Sequence, residues 1–314
     1  MTLRTVQGWR GLPPTDRGAA VAMGAFDGVH RGHRAVIEAA AAGARRLGAQ
    51  LGVVSFEPHP RRFFTPAAPP FRLTGPAQRD RRLDAAGVDL LYLLPFDAGL
   101  ARMPAESFAR EVLAQGLGVR HVAVGFDFTY GQGRHGDAAQ LCREGERLGF
   151  DITVVQPVEG EAGAKLSSTA ARAALAEGDP RHAARVLGRP FAIEGVVRKG
   201  RGLGRPLGFP TANLQLGDYA RPRPGIYAAY ARLPDGRRLP AVAYLGSAET
   251  IGPADERLEV WIFDFDEDLY GRTIEVELMD FLRPDAKFDS LDAMAAQVRV
   301  DAQRAREVLA QPNC

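Results

Sequence analysis

The sequence predicts an α/β fold in two parts: a parallel sheet with helices on both faces, then a small antiparallel β-barrel with a terminal helix. Up to about residue 156, short continuous apolar runs alternate with helix-like stretches, as in a parallel sheet covered on both faces. From about residue 191, turn-forming Pro, Gly and Asp separate the runs and no helical crossover intervenes, which indicates an antiparallel sheet. The 314 residues suffice for two cores, and we place the domains at 1–186 and 187–314.

Composition and charge are those of an ordinary globular protein. Apolar residues make up 46% of the sequence, charged residues 25%, and the formal net charge is +2. This near balance favours neither a nucleic acid nor an acidic membrane as partner, and no apolar run approaches the roughly 20 residues that span a bilayer. Cys142 and Cys314 form no metal or redox motif, which suits a reducing compartment. We expect a cytoplasmic protein that is a monomer or a weak homo-oligomer.

The first part contains five predicted strands and four predicted helices. The strands are 19–23, 51–55, 90–94, 121–125 and 151–156, and the helices are 32–48, 75–87, 104–117 and 136–149. Ligands of such sheets bind beyond the carboxyl ends of the strands. The loops after the strands are therefore where we look for a site.

The loop after the first strand predicts a site for a nucleotide triphosphate. Its sequence is Gly24-Ala25-Phe26-Asp27-Gly28-Val29-His30-Arg31-Gly32-His33, and a helix follows at once. A helix N-terminus attracts anions, and histidines three residues apart lie on one side of the first turn, where they can donate to phosphate oxygens. Asp27 either holds Mg²⁺ through a water or caps the turn. Without its context, such a pair of histidines more often belongs to a turn with a solvent-exposed histidine.

Three further segments of the first part are candidates. Phe56-Glu57-Pro58-His59-Pro60 follows the second strand and Gly125-Phe126-Asp127-Phe128 follows the fourth. Ser167-Ser168-Thr169 opens a helix that carries Arg172 one turn on. These residues either cap the helix, with Arg172 on a solvated face, or bind the triphosphate, and the preceding histidine motif favours the second interpretation. Class I aminoacyl-tRNA synthetases pair similar motifs, but their serine loop needs a lysine where Thr169 stands.

The second part contains a basic, glycine-rich loop before a short extended segment. Its predicted strands are 191–197, 226–233, 238–245, 258–263 and 273–281, and its helix is 290–309. Gly200, Gly204 and Arg205 belong to a loop that can fold over phosphates. Thr211 and Asn213 alternate along the extended segment and offer neutral oxygens to Mg²⁺ on one face. The other interpretation is a basic surface loop and an ordinary edge strand.

Glu259 is the candidate general base of the second part. Strand alternation places it on the same face as Trp261 and Phe263, and a carboxylate beside aromatic side chains suits proton transfer. The alternative is a solvated strand glutamate.

Both halves resemble known enzyme modules. The loop from Gly24 to His33, with the 56–60, 125–128 and 167–169 segments, resembles the Rossmann-like His-x-Gly-His nucleotidyltransferases and, among them, the FMN adenylyltransferase module. Gly208-Phe209-Pro210-Thr211-Ala212-Asn213, Pro224–Tyr227, Glu259, Asp268–Gly271 and Leu282–Asp289 resemble riboflavin kinase, in that order. Nearly the whole chain thus resembles the bifunctional bacterial riboflavin kinase/FAD synthetase family.

The resemblance implies two successive reactions. The barrel would transfer the ATP γ-phosphate to the ribityl 5′-hydroxyl of riboflavin, and the first domain would join AMP from a second ATP to FMN, giving FAD and pyrophosphate. It also implies Mg²⁺ as cofactor, ATP as co-substrate, and riboflavin, FMN and FAD as substrates or products. The catalytic residues would be His30, His33 and Glu259, and the Mg²⁺ ligands Thr211 and Asn213. The nucleotide would be bound by Gly24, Phe26, Asp27, Gly28, Ser167, Ser168, Thr169, Arg172, Gly200, Gly204 and Arg205, and the flavin by Phe56, Pro58, His59, Asp127, Phe128 and Arg283.

The chain departs from the family pattern at several positions. The family has Asn-Ile-Gly where Tyr244-Leu245-Gly246 stands, Pro-Thr-Phe near Ala248-Glu249-Thr250, a histidine at Trp261, and Arg-Phe at Thr129-Tyr130. An alternative is therefore an FMN adenylyltransferase with a kinase-inactive barrel. A third hypothesis, an RNA- or protein-binding barrel fused to a nucleotidyltransferase, lacks the basic stripe interleaved with aromatic residues that such a module needs.

Overall fold

The fold is given by a computed structural model that describes residues 2–160, 165–200, 208–246 and 257–311. The chain divides into two compact units. The first comprises Met1–Pro69 and Pro76–Leu166, and the second comprises Pro70–Gly75 and Ser167–Cys314. This division differs from the predicted boundary at 186/187, because the residues between Ser167 and that boundary cluster with the second unit.

The first unit is built on a parallel sheet, as predicted, and this sheet has six strands where the sequence predicts five. Its strands are β1 Arg4–Gln7, β2 Ala20–Met23, β3 Leu51–Glu57, β4 Leu90–Pro95, β5 His121–Gly125 and, after a β6–β7 hairpin of Thr129–Tyr130 and Gly136–Asp137, β8 Asp151–Val155. They lie in the order β1-β4-β3-β2-β5-β8. The central strand β2 therefore lies between β3 and β5, and the loops after these three strands meet at one edge of the sheet.

Helices cover both faces of this sheet. They are α1 Arg31–Leu47, α2 Pro60–Phe64, α3 Pro76–Ala85, α4 Ala98–Ala101, α5 Ala105–Ser107, a π-helix Phe108–Leu117, and α6 Ala138–Leu148. Alternate residues of β2 separate into two cores: Ala20 and Ala22 pack with α1, whereas Val21 and Met23 pack with the π-helix. The alternation of the strand thus explains why continuous apolar runs form this sheet.

Two details of the first unit differ from the sequence prediction. Strand β1 was not predicted, because Arg4–Gln7 has one buried residue and pairs only with β4. The single helix predicted over 104–117 is a short α-turn followed by a π-helix. Within it, Gly116 lies so close to Trp9 that a β-carbon would come within 2.7 Å of the Trp9 carbonyl oxygen.

The second unit is an antiparallel sheet of six strands that nearly closes into a barrel. The strands are β9 Phe191–Val196, β10 Ala212–Gln215, β11 Gly225–Arg232, β12 Arg238–Leu245, β13 Arg257–Ile262 and β14 Thr273–Arg283, in the order β10-β13-β12-β11-β14-β9. Just after β9, the Arg198 amide donates to the Asn213 carbonyl of the opposite edge strand at 2.9 Å. This bond joins the two edges, as expected for a small barrel.

Within the described residues, three helices complete the second unit: α7 Ser168–Glu177, α8 Pro180–Leu187 and α9 Leu291–Ala310. Helix α9 packs Ala302 and Ala305 onto one face of the sheet, against Ile226, Val242 and Phe263. None of the helices in the described ranges has the length and apolarity needed to cross a bilayer.

Candidate active sites

The loop after β2 holds three residues in the left-handed backbone region. The φ angles are 50° at Phe26, 90° at Gly28 and 40° at Val29. This conformation costs an L-residue about 1–2 kcal/mol, and a β-branched side chain adopts it rarely. Strain of this kind concentrates at functional sites. The loop is therefore a strong candidate on backbone grounds alone.

This loop brings His30 and His33 together. The His30 and His33 rings stack with centroids 3.6 Å apart, and Phe26 lies 5.1 Å from His33. His30 is buried, with 6% exposure, and caps α1 because its Nδ1 accepts the backbone N–H of His33 at 3.2 Å. With Nδ1 acting as acceptor, a neutral His30 carries its proton on Nε2, which is thus its donor atom.

Small neighbours allow this arrangement. A β-carbon on Gly32 would come within 3.1 Å of the His30 ring and of the Leu166 carbonyl oxygen. The Ser55 hydroxyl donates to the Ala25 carbonyl at 3.2 Å and ties the loop to the end of β3. Asp27 is buried in the loop, with 7% exposure.

The predicted flavin residues of β3 lie beside this loop. Phe56 packs against the core, with its ring 5.7 Å from that of Phe96. His59 follows Pro58 and caps α2, since its Nδ1 accepts the Arg61 amide at 3.1 Å. Because β3 and β2 are neighbours, these residues and the histidines occupy the same edge of the sheet.

The loop after β5 contains an ion pair that no motif of the sequence predicts. Lys165 Nζ lies 2.5 Å from the Asp127 carboxylate and 4.7 Å from the centre of the Phe126 ring. Phe128 stacks on Tyr130 at 5.7 Å. Asp127 and Phe128 are thus at the predicted edge, but Asp127 is already paired with a cation 38 residues away in sequence.

In place of the expected Arg-Phe pair, Thr129 accepts a hydrogen bond and Tyr130 is buried. Arg134 Nε donates to the Thr129 hydroxyl at 2.9 Å. Tyr130 is buried, and burial raises the pKa of its phenol above the ordinary value. The phenol is therefore neutral at physiological pH.

In the second unit, the structure agrees with the capping interpretation for Ser167 but not for Arg172. The Ser167 hydroxyl accepts the Ala170 amide at 3.2 Å and caps α7, with Ser168 and Thr169 in the first turn. Arg172 is not on a solvated face: its Nε donates to the Phe71 carbonyl at 2.7 Å, and its guanidinium lies 5.6 Å from the Phe71 ring.

The barrel aligns three of the predicted residues in one row across five strands. Arg283 of β14 is opposite Ile226, which is opposite Tyr244; Tyr244 is opposite Glu259, and Glu259 is opposite Asn213 of β10. Directly opposed residues of antiparallel strands share a face with their β-carbons about 5 Å apart. Arg283 and Glu259 are thus separated by three strand spacings, about 14 Å when measured along the curved sheet.

The amide of Asn213 fits a cation. Asn213 is 7% exposed, its Nδ2 donates to the Thr211 carbonyl at 3.2 Å, and its Oδ1 has no hydrogen-bond partner within the described ranges. A β-carbon on Gly200 would come within 2.5 Å of both atoms of this amide. A buried neutral oxygen without a partner suits Mg²⁺, which takes its remaining ligands from water and phosphates. The described residues contain no group of three His, Cys, Asp or Glu side chains that could hold a metal ion.

A cavity of about 430 Å³ opens beside this amide. Its lining includes Val197, Gly200, Thr211, Asn213, Leu269 and Tyr270. Gly204 and Arg205, predicted to fold over phosphates, lie outside the described residues.

Glu259 lies on a partly buried face with an ion-pair partner. Its Oε1 is 3.1 Å from Arg257 Nε, and its side chain is 30% exposed. Trp261 shares this face and contacts Phe209 and Phe263, with ring centroids 4.8 Å and 5.3 Å away. Glu259 is therefore not an ordinary solvated strand glutamate.

Arg283 is held by the terminal helix. Its Nε and one Nη donate to the two carboxylate oxygens of the buried Asp301 at 2.9 Å and 2.7 Å. Its guanidinium also lies 5.8 Å from the Phe288 ring. The predicted flavin residue at the end of the row is thus held by two hydrogen bonds to the terminal helix.

Comparisons with known proteins agree across both halves. A family model for FAD synthetase matches residues 12–170, and one for riboflavin kinase matches residues 187–309. Bifunctional riboflavin kinase/FMN adenylyltransferases from Escherichia coli and Pseudomonas fluorescens are each 40% identical to this chain. The first alignment covers 92% of both chains and the second covers 98% of both. A solved structure from Streptococcus pneumoniae, described as a macrolide-efflux protein, has a TM-score of 0.85 at 31% identity and covers 98% of this chain and 99% of its own.

Proposed function

The chain belongs to the family of bifunctional riboflavin kinase/FMN adenylyltransferases, it is an enzyme with both activities, and we propose which residues perform each reaction. The observation that carries the proposal is the row of Arg283, Glu259 and Asn213 across the barrel. It supports placing a flavin residue, a base and a metal ligand on one face of the sheet, where a single bound substrate can be aligned with them.

In the kinase reaction, Glu259 accepts the proton of the riboflavin 5′-hydroxyl. The hydroxyl oxygen forms a bond to the γ-phosphorus of ATP, the bond from that phosphorus to the β,γ-bridging oxygen breaks, and ADP leaves. Thr211 and Asn213 would hold Mg²⁺, which neutralises charge on the ATP phosphates when bound. Gly200, Gly204 and Arg205 bind the nucleotide, the cavity beside Asn213 receives it, and Arg283 binds the flavin.

In the adenylyltransferase reaction, His30 and His33 stabilise negative charge that develops on the ATP α-phosphate. A phosphate oxygen of FMN attacks the α-phosphorus, and pyrophosphate leaves without a covalent enzyme intermediate. The His30 cap supports this role, because it leaves Nε2 as the donor. Nucleotide binding is assigned to Gly24, Phe26, Asp27, Gly28, Ser167, Ser168, Thr169 and Arg172, and flavin binding to Phe56, Pro58, His59, Asp127 and Phe128.

The remaining expectations stay proposals of the same kind. They are the domain division at 1–186 and 187–314, Mg²⁺ as cofactor, a cytoplasmic location, a monomer or weak homo-oligomer, and no nucleic-acid or membrane partner. The alternative of a kinase-inactive barrel is disfavoured by the partly buried Glu259 and by the buried Asn213 Oδ1, which has no hydrogen-bond partner within the described ranges; a purely structural barrel requires neither.

Incubation of the purified protein with riboflavin, ATP and Mg²⁺ tests the proposal. Chromatography is expected to show FMN first and FAD later. FAD formed only when FMN is supplied would refute the kinase assignment and support the kinase-inactive alternative. Absence of any flavin conversion would refute both assignments.

A further inference from the structure

Tyr244 occupies the middle of the row that runs across the barrel. It is directly opposite Glu259 on β13 and directly opposite Ile226 on β11. Its side chain is partly buried and packs against the cluster under α9. The phenol therefore lies between the proposed base and Arg283, the proposed flavin residue.

The hydroxyl of Tyr244 is bonded to a segment beyond the sheet. It donates to Asp285 Oδ2 at 2.9 Å, while Asp285 Oδ1 accepts the amide of Ala286. Asp285 lies two residues after Arg283 and three before Phe288, which contacts the Arg283 guanidinium. The Tyr244–Asp285 bond thus fastens the segment after β14 to the strand beside the base.

The two carboxylates near this bond, those of Glu259 and Asp285, have different partners. Glu259 pairs with Arg257, and Asp285 accepts the Tyr244 hydroxyl. Burial, the bond to Asp285 and the negative charges of Asp285 and Glu259 all raise the pKa of Tyr244, so the phenol remains a neutral donor. Each carboxylate therefore has its own partner, and Glu259 is the carboxylate that lies in the row.

We propose that Tyr244 is a positioning residue of the kinase site, which holds Asp285 and the 284–289 segment in place to bind riboflavin. The inference rests on the proposed kinase function. The Tyr244 hydroxyl donates to Asp285 and not to Glu259 or Asn213, so its loss is expected to weaken riboflavin binding rather than the chemical step.

The test is the riboflavin kinase assay with Tyr244→Phe. Loss of one hydrogen bond is expected to raise the KM for riboflavin about fivefold to tenfold, with kcat and FMN adenylylation within twofold of the unsubstituted protein. Asp285→Ala is expected to raise this KM at least as much, because it also loses the Ala286 amide bond, and the double variant no further than Asp285→Ala. Asp285→Asn keeps an acceptor oxygen and is expected to retain a nearly normal KM.

Tyr230→Phe is the matched control. Tyr230 lies in the same sheet, and its hydroxyl donates to the Leu309 carbonyl of helix α9 at 3.1 Å. The variant therefore also loses one tyrosine hydrogen bond, but the bond to Asp285 remains. An unchanged KM in Tyr244→Phe, or an equal rise in Tyr230→Phe, would overturn the inference and leave the kinase function standing. Absence of kinase activity in the unsubstituted protein would refute the proposed function and the inference with it.

Discussion

Replacing Gly200 by alanine is expected to impair the kinase reaction selectively. The new β-carbon would be 2.5 Å from both Oδ1 and Nδ2 of Asn213, whereas ordinary contacts begin at 3.4 Å. The Asn213 amide must therefore move by about 0.9 Å or rotate away from the Thr211 carbonyl. A displacement of about 1 Å at a reacting group typically costs about 100-fold in rate, equivalent to about 2.7 kcal/mol.

The assay compares both reactions in the same preparation. Riboflavin kinase activity of Gly200→Ala is expected to fall about 100-fold, while formation of FAD from supplied FMN stays unchanged. Gly195→Ala, on strand β9, is the matched control. Its new β-carbon would lie at an ordinary contact distance of 3.4 Å from the Leu214 side chain. If Gly200→Ala and Gly195→Ala have the same kinase activity, the inference that Asn213 belongs to the kinase site is wrong.

Two further outcomes concern the first unit. Lys165→Met removes an exposed ion pair and is expected to change the free energy of unfolding by less than about 1 kcal/mol but to raise the KM for FMN several-fold in the adenylyltransferase assay. Arg46→Met, which breaks the exposed pair with Asp151 at 2.5 Å, is the control that should leave that KM unchanged. His121→Phe is expected to raise the free energy of unfolding by about 1–3 kcal/mol in urea titrations, because both buried ring nitrogens lack hydrogen-bond partners within the described ranges. Burial, and secondarily Arg46, lowers the pKa of His121, so the unfolded state binds more protons. The His121-dependent part of stability is thus complete above about pH 6.5 and is lost as the pH falls below it. If the free energy of unfolding of His121→Phe fell with pH by the same amount, the assignment of this pH dependence to His121 would be wrong.

The elements of the fold were predictable wherever burial leaves a recognisable pattern of apolar residues in the sequence. Strands such as Leu51–Glu57 and His121–Gly125 are buried on both faces and read as continuous apolar runs. Strand Arg4–Gln7 shows no such run because it pairs on one side only. The π-helix has a buried face like that of an α-helix, so its wider turns leave no distinct pattern.

The sites were predictable only where one short segment contains them. The His30–His33 pair is local, and its geometry follows from a helix start. The Lys165–Asp127 pair and the Tyr244–Asp285 bond join residues 38 and 41 positions apart, which no local motif records. The row across the barrel depends on the register of five strands, which the sequence leaves undetermined.

The central claim is that two separate sites in one chain act in succession on the flavin. Glu259→Gln is expected to form no FMN from riboflavin but to convert supplied FMN into FAD, and His33→Ala is expected to stop at FMN. The direct test is to mix the two variants with riboflavin, ATP and Mg²⁺ and to follow FAD by chromatography. The account predicts that the mixture makes FAD although neither variant does so alone. A mixture that makes no FAD, or a single variant that makes it from riboflavin, would contradict the claim.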